Sequence, residues 1–186
     1  MPATLIVTEF ISLDGIVDSP GGGAHPAAGW TFKEVEFDEA AYEIKGREEE
    51  EASALLLGRV SYDEFAPVWP SMEEFARYNE MPKYVVSSTL ENPEWNNTSV
   101  LRSLDEVAEL KDRTEGNILV HASPTLAKGL LAAGLVDRYH LLVFPVLLGG
   151  GKRLFEGEPA PARRLKLVEH DTYGNGVQKV VYDVLR

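Results

Sequence analysis

The chain has 186 residues, of which 44% are hydrophobic and 26% charged, a composition typical of one soluble globular domain. Its net charge of −12 argues against binding to nucleic acid or to an anionic membrane surface. Cysteine is absent, which excludes disulfides, thiolate nucleophiles and cysteine-ligated metal sites. The sequence shows neither a signal peptide nor a membrane-length apolar run, so we expect a cytoplasmic protein.

Short apolar runs alternate with longer segments of helical periodicity. The pattern predicts strands, in chain order, over 4–10, 54–57, 83–87, 98–101, 118–120 and 137–144. It predicts helices over 36–52, 60–65, 71–79, 103–112 and 124–133, with Ser103 and Ser123 as N-caps. A hairpin of 165–172 and 177–185 closes the chain. Repeated strand–helix alternation predicts a single α/β domain over 1–186, in which a mostly parallel sheet with an antiparallel C-terminal hairpin carries helices on both faces.

Several familiar motifs are absent. The run Gly149-Gly150-Gly151-Lys152 is no phosphate-binding P-loop, because Val146 stands where that motif needs its first glycine. No G-x-G-x-x-G follows the first strand, and no G-x-S-x-G elbow is present. The four histidines show no metal-ligand spacing, so no metal site is predicted.

The ends of the predicted strands carry the informative residues, since ligands of open α/β sheets bind beyond the carboxyl ends of the strands. Four such ends read Ser12-Leu13-Asp14-Gly15, Gly58-Arg59-Val60-Ser61-Tyr62, Ser87-Ser88-Thr89 and His121-Ala122-Ser123-Pro124. Two of them lead into helix starts, whose free amides favour anions, and Arg59 adds a fixed positive charge. This set suits a long anionic ligand such as a dinucleotide.

Four segments carry a recognisable pattern, namely SLDG (12–15), LLLGRVSYDEF (55–65), KYVVSSTL (83–90) and GLVDRYHLLVFPVLLGGGKRLF (134–155). In this order and spacing they resemble the dihydrofolate reductase-like superfamily. The likeness extends from about residue 3 to residue 184 and is closest to proteins similar to the reductase domain of the bifunctional riboflavin-pathway deaminase–reductase. The resemblance implies a three-layer α-β-α fold and hydride transfer from NADPH to a small heterocyclic substrate.

The resemblance also implies roles for individual residues. Gly58, Arg59 and Ser61 would hold cofactor phosphates, and Ser87, Ser88 and Thr89 would lie near the adenosine 2′-phosphate. The loop over 11–30 would close over the nicotinamide, with Ile16 against its ring. The residues that would pass under the pyrophosphate are Ala122, Ser123 and Thr125.

One position departs from the family pattern, which has Gly-Gly or Gly-Ser where this chain has Ala122-Ser123. A Cβ on Ala122 would crowd the cofactor or shift it, because glycine permits the closest backbone approach. His121, just before it, would add positive charge near phosphate when protonated.

The proton donor is expected near the start of the first long helix, where Glu34, Glu36, Asp38 and Glu39 compete. We predict Asp38, although a carboxylate there also suits a simple helix cap. Asp14 is a second candidate for the substrate, with a turn role as its alternative.

Two further interpretations stay open at this point. A relative that keeps the fold and binds a nucleotide or another ligand without turnover would explain Ala122, and a partner-binding module would use the fold alone. We also expect a homodimer, for which the apolar run 141–148 would supply an interface unless it is a buried strand.

Overall fold

The computed structural model describes residues 1–157 and 161–186. Its strands, in chain order, are β1 (Thr4–Ser12), β2 (Ala52–Gly58), β3 (Lys83–Val86), β4 (Thr98–Leu101), β5 (Asn117–His121), β6 (Arg138–Phe144), β7 (Leu165–Thr172) and β8 (Gln178–Val184). Its helices are α1 (Trp30–Lys33), α2 (Glu39–Glu51), α3 (Arg59–Phe65), α4 (Ala76–Glu80), α5 (Leu104–Arg113) and α6 (Pro124–Ala132).

The eight strands of the described residues join one sheet in the order β4-β3-β2-β5-β1-β6-β8-β7. Neighbouring strands run parallel from β4 to β6, whereas β8 runs antiparallel to both β6 and β7. The predicted mixed sheet with a closing antiparallel hairpin is confirmed.

Helices cover both faces of this sheet because side chains alternate along each strand. Leu5 and Val7 of β1 pack in one core with α5 and α6, while Ile6 between them packs in a second core with α3 and α4. A third core joins α1 and α2 to β6 and β8. The three-layer arrangement expected from the resemblance is therefore confirmed.

The helix predicted over 71–79 is wrong in most of its length. Two short 3-10 turns, Trp69–Ser71 and Glu73–Phe75, precede α4, and Met72 between them is extended. Proline at position 70 cannot donate to a helical ladder, and Trp69 packs its ring into the core beneath α4. Burial of this aromatic segment overrides its helical periodicity.

The capping predictions had different outcomes. The hydroxyl oxygen of Ser103 accepts a hydrogen bond from the Glu106 amide at 3.2 Å, which confirms this cap. Ser123 occupies the N-cap position of α6 with proline directly after it, as predicted, although its side chain makes no cap hydrogen bond.

The apolar run 141–148 belongs largely to the core. Leu141, Leu142 and Phe144 are buried in β6, which has a hydrogen-bonded strand on each side. Pro145 and Leu147 of this run are exposed, and the homodimer stays a prediction. Within the described residues, no helix is long and apolar enough to cross a lipid bilayer.

Candidate functional site

The site lies where two central strands separate. β1 pairs with β5 as far as Thr8 opposite His121, but continues along β6 as far as Ser12 opposite Phe144. The chain leaves β1 for α2 on one face of the sheet and leaves β5 for α6 on the other. Such a reversal opens a crevice at the carboxyl ends of the strands, the usual ligand site of open α/β sheets.

A cavity of about 1080 Å³ fills this crevice. Strand β1 lines it with Thr8, Glu9 and Phe10, the loop after β1 with Val17–Gly23, and α2 with Lys45. The chain segments after β2 and β5, which we predicted to hold cofactor phosphates, line it with Gly58, Arg59, Ser61, Ala122, Ser123 and Thr125. Six of the twelve predicted site residues thus meet in one cavity.

Hydrogen bonds tie the loops after β2 and β5 together. The Gly58 amide donates to Ser123 Oγ at 2.9 Å, and the Ser123 hydroxyl lies 2.8 Å from Ser61 Oγ. Ser123 therefore uses its side chain to join two strand ends instead of capping α6. The first-turn amides of α6 remain available to an anion, because such amides have no acceptor within the helix.

The backbone of this loop is strained. Ala122 and Ser123 have φ values of 53° and 65°, in the left-handed region that glycine favours. The departure from the family's glycine thus keeps the left-handed backbone, at a cost of roughly 1–2 kcal/mol for each residue.

Arg59 lies at the start of α3, 40% exposed beside the cavity. Its Nε donates to Asp63 at 2.9 Å, and its Nη1 donates to Thr89 Oγ1 at 3.3 Å. Thr89 is exposed on the turn that follows β3, and Arg102 Nη1 donates to the carbonyl of Ser87 in that turn. The turn is therefore flanked by two guanidinium groups, of which the sequence pattern singled out one.

The predicted serines of this turn do not line the cavity. Ser87 is buried, and its hydroxyl oxygen accepts hydrogen bonds from the amides of Thr89 and Leu90. Ser88 is exposed. These two residues shape and border the turn, while Arg59 and Thr89 form its polar surface.

Both predicted catalytic carboxylates lie outside the cavity. Asp38 accepts a hydrogen bond from the Ala40 amide as the N-cap of α2, which corresponds to the alternative stated for it. Asp14 accepts hydrogen bonds from the Ser12 hydroxyl at 2.6 Å and the Gly149 amide at 2.7 Å. Its bond with Ser12 contributes most to lowering the Asp14 pKa to about 2. Asp14 thus braces two loops against each other.

Ile16 is also displaced from its predicted position. Its side chain is fully buried, its amide donates to Ser12 Oγ, and it forms a β-bridge with Arg153. The next residue, Val17, lines the cavity in its place.

Aromatic side chains line the α3 side of the cavity. The Phe65 and Trp69 rings stack with centroids 4.2 Å apart, and Trp69 stacks on Phe75 at 4.3 Å. Phe10 and Phe32 line the same cavity. Flat apolar surfaces of this kind suit a planar heterocycle.

A buried polar network places Lys45 beside these rings. Lys45 Nζ donates to Thr8 Oγ1 and to Glu48 Oε2, and it lies 4.7 Å from the centre of the Phe10 ring. Glu48 Oε1 accepts from the Thr8 hydroxyl at 2.8 Å and lies 2.9 Å from His140 Nδ1. Burial favours the neutral form of Glu48, but the Lys45 charge and these bonds outweigh it and hold the Glu48 pKa at about 2.

Two titratable side chains at the cavity each have one buried atom without a hydrogen-bond partner among the described residues. These atoms are Glu9 Oε1 and His121 Nδ1. Burial raises the Glu9 pKa to about 8, against a lowering by Lys45. Burial lowers the His121 pKa to about 4, and its ring meets Trp69 edge-on at 5.2 Å. His121 is thus neutral at physiological pH, contrary to the phosphate-binding role suggested for it.

Comparison with known proteins places the chain in a family. Residues 3–179 match the family model of the RibD C-terminal domain. The chain is also 31% identical over 138 residues to YyaP of Bacillus subtilis strain 168, a protein of uncharacterized function; the match covers 69% of this chain and 72% of that protein. The chain therefore belongs to the RibD C-terminal domain family, a reductase family, and this membership implies oxidoreductase activity.

Solved structures support the same fold. A candidate riboflavin biosynthesis protein of Shewanella sp. PV-4 matches with a TM-score of 0.76 and 22% identity over all of both chains. Dihydrofolate reductase of Enterococcus faecalis, complexed with NADP(H) and RAB-propyl, matches with a TM-score of 0.63 and 14% identity over 98% of this chain and 97% of that one. RibD of Acinetobacter baumannii matches with a TM-score of 0.66 and 16% identity over 99% of this chain, which spans 58% of that protein. The predicted dihydrofolate reductase-like fold is confirmed.

Replacing Ala122 by glycine should stabilise the protein. Glycine relieves left-handed backbone strain of about 1–2 kcal/mol in the folded state. It also makes the unfolded chain more flexible, which costs about 0.4–1 kcal/mol of stability, so we expect the free energy of unfolding to rise by roughly 1 kcal/mol. Urea unfolding measures it. Ala133→Gly is the matched control, because Ala133 has φ −74° and should lose stability instead. An equal loss of unfolding free energy in both variants would contradict backbone strain at Ala122.

Glu48→Gln should destabilise the protein by about 3 kcal/mol at neutral pH, because it removes one partner of a buried charge network. The folded pKa of Glu48, about 2, is below the ordinary value of 4.5. Its stabilisation is therefore complete above about pH 4.5 and is lost as the pH falls towards 2. Urea unfolding across this range should show wild type and variant converging. Glu43→Gln, exposed on the same helix, should not change the pH dependence.

Proposed function

We propose that this protein is an NADPH-dependent reductase that transfers a hydride to a C=N or C=O carbon of a small planar heterocycle. The substrate would be pterin-like or similar to the riboflavin-pathway intermediate 5-amino-6-(ribosylamino)uracil. The observation that carries the proposal is one continuous cavity with anion-binding groups along one part and stacked aromatic rings along another.

The cavity has room for a cofactor and a substrate together. Its volume of about 1080 Å³ lies at the upper limit of ligand pockets, which measure roughly 300–1,000 Å³. A cofactor and a substrate in contact would fill such a space, and hydride transfer requires that contact.

The phosphate-binding part fits NADPH in the charge and shape of its donors. The loop over Ala122–Thr125 and the start of α6 would hold the pyrophosphate, since free helical amides favour an anion. Arg59, Thr89 and Arg102 would hold the 2′-phosphate, because guanidinium groups bind phosphate with two parallel hydrogen bonds. NADPH, when bound, supplies the hydride.

The substrate would lie on the α2 and α3 side, against Trp69 and Phe10. Lys45 would hold a proton at Nζ beside it and give that proton to the substrate nitrogen or oxygen that becomes basic on reduction. Lys45 takes the place that we expected Asp38 to occupy. Thr8, Glu48 and His140 position its ammonium group.

The alternative is a relative that binds a nucleotide without turnover. The observation that favours it is the Ala122 Cβ beside the cavity, where the family has glycine. This relative would bind NADPH or a simpler nucleotide but would not consume NADPH with any heterocycle.

Thermal unfolding with NADPH, with NADH and without ligand tests the cofactor. A ligand at 100 times its Kd that binds the folded state alone should stabilise by about 2.7 kcal/mol. We expect a larger rise in Tm with NADPH than with NADH. Arg59→Ala should weaken NADPH about tenfold and remove this preference, because it deletes a charge-assisted contact. Arg113→Ala, exposed at the end of α5, is the control. The absence of any shift in a folded sample would contradict the proposal.

Lys45→Met should lower kcat by about 100-fold or more while leaving the Kd of NADPH unchanged, because it removes the proposed proton donor and keeps the length of the side chain. Loss of NADPH absorbance with dihydrofolate, and separately with 5-amino-6-(ribosylamino)uracil, measures turnover. Lys166→Met, exposed on β7, is the control. An unchanged kcat would contradict the role of Lys45, and binding without turnover in wild type would favour the alternative.

A further inference from the structure

Glu9 is a buried carboxyl group at the centre of the site. It follows Thr8, the last residue of β1 that pairs with β5, so it lies where the two strands begin to separate. Its side chain is 3% exposed and borders the cavity. Because side chains alternate along a strand, Glu9 faces the α5 and α6 side, opposite to Thr8 and Phe10.

No structural role accounts for this carboxyl group. Its Oε1 is fully buried and accepts no hydrogen bond from the described residues. A buried polar group without a partner normally costs about 1–3 kcal/mol, and a buried isolated charge costs more. Such a group, bordering a cavity, is a candidate for ligand binding.

The chemistry of Glu9 selects the ligand group. Burial raises its pKa to about 8, so the carboxyl group carries a proton at neutral pH. A protonated carboxyl offers one O–H donor and one carbonyl acceptor side by side. A primary carboxamide offers one acceptor and an N–H donor in the matching arrangement, so the two can form a cyclic pair of hydrogen bonds.

We infer that the Glu9 carboxyl group binds the carboxamide of the nicotinamide ring of NADPH. This inference rests on the proposed function. The positions of two residues support it. The pairing of β1 with β5 ends at Thr8 opposite His121, so the next residue of β1 is Glu9 and the next residue after β5 is Ala122, where the proposed phosphate-binding loop begins. Glu9 and α6 lie on the same side of the sheet, so the arm of a dinucleotide held at α6 reaches Glu9 without crossing the sheet.

The same placement assigns different tasks to Glu9 and Lys45. Lys45 comes from α2, on the opposite side of the sheet, beside the aromatic rings that suit a substrate. Proton supply to the substrate therefore belongs to Lys45, and Glu9 positions the nicotinamide.

The decisive measurement is nucleotide affinity against pH, by isothermal titration calorimetry with the intact wild-type chain. Deprotonation removes the donor to the carboxamide oxygen, so the Kd of NADPH should rise about tenfold from pH 7 to pH 9 for a group with a pKa of about 8. The control ligand is ADP-ribose 2′-phosphate, which lacks the nicotinamide. Its Kd should stay constant from pH 7 to pH 9.

Variants assign the effect to Glu9. Glu9→Gln keeps a donor and an acceptor without titrating, so it should bind NADPH within a few-fold of wild type and with no pH dependence. Glu64→Gln is the matched control, because Glu64 is an exposed carboxylate on the same cavity, and it should retain the tenfold rise. The control matters because other charged groups line this cavity, namely Asp18, Lys45, Arg59, Glu64, His121 and Lys152.

The outcomes separate this inference from the proposed function. If both nucleotides bind but lose affinity in parallel, or if Glu9→Gln keeps the pH dependence, the carboxamide contact is wrong and the cofactor site stands. If neither nucleotide binds, the proposed function fails and the inference fails with it. The wild-type comparison of the two nucleotides decides the matter even where Glu9→Gln does not fold.

Discussion

The separation of β1 from β5 beyond Thr8 and His121 is the constraint on which the site depends. It follows from topology: the helix after β1 lies on one face of the sheet and the helix after β5 lies on the other, so the strands cannot both be covered at their carboxyl ends. The crevice needs no dedicated subdomain. It is a consequence of the strand order, and the loops after β2 and β5 line it because they end at the same edge.

Burial of the polar groups around the crevice carries a desolvation cost, which neighbouring residues compensate for some groups and not for others. Glu48 is stabilised as an anion because Thr8, Lys45 and His140 surround it on three different elements. The same network fixes α2 against β1 and β6, so it serves packing and positions the Lys45 ammonium at once. Glu9 lies one residue further along β1 and receives no such compensation, so its burial favours the neutral acid. Two buried carboxyl groups beside the crevice thus differ in charge state: Glu48 on α2 is an anion, and Glu9 on β1 is a neutral acid.

Sequence reasoning predicted the strands, the order of the helices and the loops that meet at the sheet edge. It succeeded there because alternation and glycine punctuation are local signals. It selected Asp38 and Asp14 because they lie near helix and turn signals, and the structure places both outside the cavity. Glu9 lies within an apolar strand pattern, and its burial beside the cavity becomes visible only in the structure. Lys45 could not be distinguished from the other charged residues of α2 by sequence, because the direction in which its side chain points depends on how that helix packs. The one local signal that could have identified Glu9 is a carboxylate within an otherwise apolar strand.

The Ala122-Ser123 loop shows how a departure from the family pattern can be absorbed. The backbone keeps the left-handed conformation that glycine would adopt without strain, and the Ser123 hydroxyl compensates in part by joining Gly58 to Ser61. A loop held in this way is more rigid than a glycine pair, because its side chain restrains the neighbouring strand end as well as its own. In the proposed cofactor site, this rigidity would lower the entropy cost of binding a phosphate, while the Ala122 Cβ would limit how closely the phosphate approaches. The net effect on NADPH affinity would therefore depend on the position of the pyrophosphate over α6, on which the Cβ of Ala122 would act directly.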